Sequence, residues 1–280
     1  MDEQFWLMLL AKMLTTAAIV VVASLLIERS GPLLGTLLAT LPISAGPAYV
    51  FLAVEHGPAF IQASALASLP ANAATALFIL TYAALADRGQ GVAVSLASAV
   101  ASWGVTIGVV GARAWSLPAL LVLNIVVYAG GSVLAVRFVR GHKVPGSIRR
   151  WWNIPVRVLT VVLLVGAVVI AGHALGPAAA GVAALAPVVL TSLVLILHPH
   201  IGGPATASVL ATGLPGLFGF VLALTAVYLL VLPYGSAVAL SSALAISLAW
   251  NVSVLLLWRS STLSSQKRKA SLVQRNSPEN

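Results

Sequence analysis

Nine apolar stretches divide the chain: 5–27, 32–54, 58–86, 91–112, 116–138, 154–172, 177–198, 204–232 and 236–258. At 1.5 Å per residue, a helix of about 20 residues crosses the roughly 30 Å hydrocarbon core of a bilayer. Inside that core each backbone N–H and C=O needs a partner from the protein, so runs of this length can span only as helices. The composition agrees. Only 8% of the residues are charged and 60% are hydrophobic, whereas a soluble domain carries about 25% charged residues. The expected fold is therefore all-α: a polytopic membrane helix bundle of about nine transmembrane helices, with the lipid bilayer as its solvent.

Charge placement orients this bundle. The formal net charge is +9, which in a soluble protein would raise nucleic-acid binding. Here most of the Lys and Arg cluster at 137–157 and 259–275, beside spans, where basic residues set orientation and meet anionic lipid. No nucleic-acid partner is expected. An outside N-terminus puts Arg29, Arg88, the cluster from Arg137 to Arg150 and the tail from Arg259 to Arg275 in the cytoplasm. Arg113 alone among basic loop residues then faces out. The first run follows Asp2-Glu3 rather than a basic region, so it reads as a retained span and not a cleaved signal. The Ala/Val/Leu-rich, Arg-favouring composition fits a bacterial inner membrane.

A block repeats within the chain. Shifted by 145 positions, 31–70 falls on 176–215, so that Pro32, Pro42 and Pro70 land on Pro177, Pro187 and Pro215. Each window holds five prolines, and random placement would match fewer than one. Spans one to four correspond to six to nine, and span five has no counterpart. Equivalent helices are thus five spans apart. Because five is odd, the second copy lies upside down relative to the first, as in many secondary transporters. The divisions are 1–112, a first repeat; 113–150, a linking span and basic loop; 151–258, a second, inverted repeat; and 259–280, a basic tail expected to be disordered. A duplication kept only for structure remains the other reading.

Prolines within these repeats predict broken helices. A single helix over 58–86 would be far longer than the core is thick, and Pro70 removes a hydrogen bond and clashes with the preceding turn. The same holds for Pro215, and Pro42 and Pro187 interrupt the second and seventh spans. Freed backbone groups would have to face protein or a wet cavity, and half-helix N-termini there suit an anion. Prolines in membrane helices also make plain packing kinks.

Polar residues inside the spans supply the candidate solute contacts. Lys12 and Arg157 are again 145 apart. Both suit an anion or a carboxylate partner, and both are near enough to a helix start to snorkel. Ser44 follows Pro42, Asn72 and Thr75 follow Pro70, and Ser192, Asn124 and Asn251 lie within other spans. Such side chains line polar paths or join helices to one another. Glu28, Glu55 and Asp87 sit at span ends, where solvation is expected. His198-Pro199-His200 reads as a loop, with no third metal ligand nearby. The candidate substrate-binding set is Lys12, Arg157, Pro42, Ser44, Pro70, Asn72, Pro187 and Pro215.

Enzymatic signatures are missing: the chain has no phosphate loop, no H-E-x-x-H and no nucleophile elbow. It has no cysteine, which rules out disulfides and thiolate metal sites. Neither a cofactor nor a metal is expected, and the protein is not expected to be an enzyme.

The stretch Gly31-Pro-Leu-Leu-Gly-Thr-Leu-Leu-Ala-Thr-Leu-Pro42 resembles the opening of poorly characterised bacterial inner-membrane proteins of the GlpM-like type, each half of the chain resembling one unit. The resemblance implies a multi-spanning inner-membrane protein linked to envelope metabolism, and it carries no catalytic residue onto this chain. The expected function is a secondary transporter or permease for a small, anionic solute. The other expectation is a non-transporting scaffold or accessory subunit of an envelope assembly. Either is compatible with a homo-oligomer.

Overall fold

A computed structural model describes residues 3–29, 45–139 and 153–275. All regular structure among them is helical: α1 (Glu3–Arg29), α2 (Ala45–Glu55), α3 (Pro58–Asp87), α4 (Val92–Gly111), α5 (Leu117–Val139), α6 (Asn153–Leu175), α7 (Pro177–Ala184), α8 (Val188–Ile201) and α9 (Gly203–Arg275). Six described helices are long and apolar enough to cross a membrane. One of them, α9, holds two segments joined at a kink where Gly235 takes φ +79°. The chain is a helical membrane protein.

The centre of the bundle is α3, the most buried of the long helices. It packs most extensively on the first segment of α9 and also meets α4, α5 and α7. Its core face carries Ile61, Ala65, Leu69, Phe78 and Tyr82, all fully buried. Close approach requires small residues at two crossings. A Cβ on Gly181 of α7 would lie 2.1 Å from the Ser64 carbonyl oxygen, and one on Gly203 would lie 2.7 Å from that of Ala86. By contrast α4 buries only Ser95 and Ala99, and its exposed residues are apolar or glycine, as lipid requires.

Three expectations need correction. Pro70 and Pro215 do not break their helices: α3 and the first segment of α9 run straight through them. Each proline removes one intrahelical bond, at the carbonyls of Leu66 and Ala211, yet the helix continues, and side chains from elsewhere in the bundle hold the main chain next to it. Asn124 Nδ2 donates to the Leu69 carbonyl at 3.1 Å, and Trp250 Nε1 to the Pro215 carbonyl at 2.9 Å. At 30 residues, α3 is about 45 Å long, which tilt or extension beyond the core accommodates. The basic tail is helical as far as Arg275, because an existing helix extends cheaply through Lys, Arg, Gln and Ala. His198-Pro199-His200 belongs to the end of α8, not to a loop.

Candidate functional site: a chamber at a helix break

Among the described residues, the seventh apolar run breaks at its proline. α7 stops at Ala184, and its last carbonyls bond the N–H groups of Leu185 and Ala186. Pro187 then caps α8 in a non-helical conformation, φ −78° and ψ 42°, with no side chain capping the new helix. Val188 N–H turns back to the Ala186 carbonyl at 2.8 Å. The N–H groups of Val189 and Leu190, at the second and third helical positions, have no intrahelical acceptor and sit at the positive end of the α8 dipole.

A chamber of about 230 Å³ lies against this break. Its walls include Leu185, Pro187 and Leu190 from the break, Asn72 and Thr75 from α3, and Asn251 from the second segment of α9. Gly213 and Gly216, on either side of Pro215, complete the wall facing α3. Among the described residues, no lining side chain carries a formal charge.

The polar walls are held from behind. Asn124 Nδ2 donates to the carbonyls of Leu69 and Leu120, so its Oδ1 accepts from Asn72 Nδ2 at 3.3 Å. Tyr128 donates to the Asn72 main-chain carbonyl at 3.2 Å. The Asn72 side chain also contacts the Tyr128 hydroxyl, so both Asn124 and Tyr128 on α5 hold it at the chamber wall. The Thr75 hydroxyl is 2.9 Å from the Ala71 carbonyl and 3.4 Å from that of Leu185, which ties α3 to the break. A second buried chain braces the same contact. Ser68 donates to the Gly181 carbonyl at 2.6 Å and therefore accepts from the Tyr49 phenol at 2.7 Å.

The structure brings together some of the residues singled out in the sequence and separates others. Asn72 and Pro187 line the chamber; Pro70 and Pro215 lie within two residues of its walls without lining it. Lys12 is elsewhere, its ammonium paired with the carboxylate of Glu55 at the end of α2. Glu55 is therefore not simply solvated. Pro42 and Ser44 lie outside the described residues, as does the Arg157 side chain. Tyr49, Ser68 and Gly181 were not anticipated, since nothing in their local sequence marks residues 113 positions apart, Ser68 and Gly181, as neighbours. Among the described residues no cluster of His, Asp or Glu could hold a metal. Comparison with protein-family models, curated proteins and solved structures finds no match.

Proposed function

We propose that the chain is a secondary transporter or permease for a small solute, which binds in the chamber at the α7–α8 break. The observation that carries this reading is the unused polar capacity there. Two main-chain N–H groups without helical acceptors face a chamber that Asn72 and Thr75 also line, inside an apolar bundle where an idle polar group is costly. A sealed scaffold has no use for it. An inverted repeat supports the same reading. α1 packs on α6 and α3 on α9, pairs offset by 145 in sequence. Gln62 opposes Tyr228, and Ala86 opposes Gly203. That antiparallel register puts the middle of the contact near Asn72 and Leu217, beside Pro70, Pro215 and the chamber. α5, the helix without a counterpart, packs on both α3 and α9.

These walls suit an uncharged polar solute better than the anion expected from Lys12 and Arg157. Lys12 is committed to Glu55, and a helix N-terminus supplies only about half a charge. The remaining charge of a buried anion would be uncompensated. Counterflow into proteoliposomes with glycerol, urea and small polyols tests the proposal. Uptake of at least one should exceed that of empty vesicles and fall tenfold or more in Asn72→Leu, with the melting temperature held. Uptake that never exceeds empty vesicles, or that Asn72→Leu leaves intact, favours the scaffold reading.

A further inference from the structure

A second and larger chamber, of about 470 Å³, adjoins the first. The two share Ala45, Leu185 and Phe220 as wall residues. Its polarity is the opposite. Apart from Thr15 and Tyr49 its described wall residues are apolar or glycine, drawn from α1, α2, both segments of α9 and Leu185. Tyr49 spends its hydroxyl proton on Ser68, so no polar group there seeks a ligand. Three wall residues are also open to the outside of the bundle: Ile19 on α1, Val50 on α2 and Leu244 on α9, each 46–50% exposed. In a membrane protein that outside is hydrocarbon, so the apolar chamber opens sideways into lipid while its inner end meets the polar chamber.

Resting on the transporter reading above, we infer that the substrate is a neutral single-chain amphiphile that enters from the bilayer. Its head, with hydroxyl or amide groups, occupies the polar chamber against Asn72, Thr75 and the α8 N-terminus. Its hydrocarbon tail fills the apolar chamber. Size agrees with this division, since ligand sites run from about 300 to 1,000 Å³. The polar chamber alone falls below that range; the pair falls inside it. Charge agrees too: among the described residues neither wall contains an ionised side chain, so a phosphate or carboxylate head would find no counter-ion there. Head recognition rather than tail burial supplies the preference for the site, because moving a chain from lipid into an apolar chamber gains little.

Photolabelling in nanodiscs with a monoacylglycerol carrying a diazirine at the tail end tests this. Peptide mapping should find label on Ile19, on Val50 and between Ala223 and Leu244, and excess unlabelled monoacylglycerol should remove at least four-fifths of it. Label on Val105 and Val109, the lipid-facing side of α4, should not be competed. Ala243→Trp and Leu240→Trp, which fill the chamber by independent routes, should each lower competed labelling at least fivefold. Labelling at the chamber that is no more competed than on α4 overturns the inference. If glycerol uptake still depends on Asn72 in that case, the small-solute transporter stands and only the amphiphile falls. If it does not, both fall.

Discussion

At the scale of single residues, the sharpest constraint is the glycine at position 181. A methyl group there would meet the Ser64 main chain at 2.1 Å, and main chain cannot rotate aside. Gly181→Ala should therefore destabilise by about 3 kcal/mol, the upper part of the usual overpacking range, seen as a lower melting temperature in detergent. Gly104 on α4 has nothing within 4 Å of its notional Cβ. Gly104→Ala should be neutral or stabilising by up to about 1 kcal/mol from helix propensity. If both substitutions behave alike, the α3–α7 crossing is not as close as described. Lys12 and Glu55 define a second residue-level prediction. Their side chains are 12% and 26% exposed, so removing one leaves a partly desolvated charge and should cost about 1–3 kcal/mol. The double change Lys12→Met with Glu55→Gln should cost less than the sum of the two single changes, and a thermodynamic cycle measures the difference. Strict additivity would mean the pair contributes nothing. Lys12 stood out in the sequence as a charge inside an apolar run. Its partner did not, because a contact across 43 positions leaves no periodic trace.

The helices teach a related lesson about proline. Pro70, Pro187 and Pro215 occupy similar apolar surroundings in the sequence, yet only Pro187 stands at a break. The first turn of a proline's consequences is local and legible: one lost hydrogen bond and one clash. Whether the helix stops depends on packing that the local sequence does not show: Asn124 of α5 and Trp250 of the second α9 segment hold the main chain at Leu69 and Pro215. The true ends are marked instead by Gly202 and Gly235, which take φ +81° and +79°, a region that costs other residues strain. The sequence predicts interruptions at Pro70, Pro187 and Pro215 alike, and of these three only Pro187 stands at a break, between α7 and α8. A matched pair of substitutions separates the two kinds of proline. Pro70→Ala restores an N–H to the Leu66 carbonyl and should raise stability, by no more than the roughly 3 kcal/mol that proline costs a helix interior, and leave solute uptake within twofold. Pro187→Ala should let α7 run on into α8, raise far-UV helicity and abolish uptake. If uptake is lost in Pro70→Ala and kept in Pro187→Ala, the functional break is misassigned.

For the whole molecule, the proposed inverted repeat and the expected orientation across the membrane can be tested together. Gln90, in the turn after α3, is equivalent under the 145-residue shift to Gly235, the kink between the two segments of α9. Five spans separate them in the nine-span reading, so the two turns belong on opposite sides. Charge gives the sign: Arg88 adjoins the first turn, whereas residues 233–236 carry no charge, and basic loops stay in the cytoplasm. Gln90 and Tyr234 are both exposed, and the chain has no cysteine, so single cysteines introduced there can be read without background. Tyr234→Cys should react with a membrane-impermeant maleimide in intact cells, and Gln90→Cys only after permeabilisation. Ser116→Cys, in the exposed turn between α4 and α5, should label from outside as well, because one span separates it from position 90 and four from position 234 in the nine-span reading. Labelling of 90 and 234 from one side would require an even number of spans between them. The halves would then be parallel copies, and the two-fold relation that sets Asn72 opposite Leu217 at the middle of the α3–α9 contact would lose its meaning.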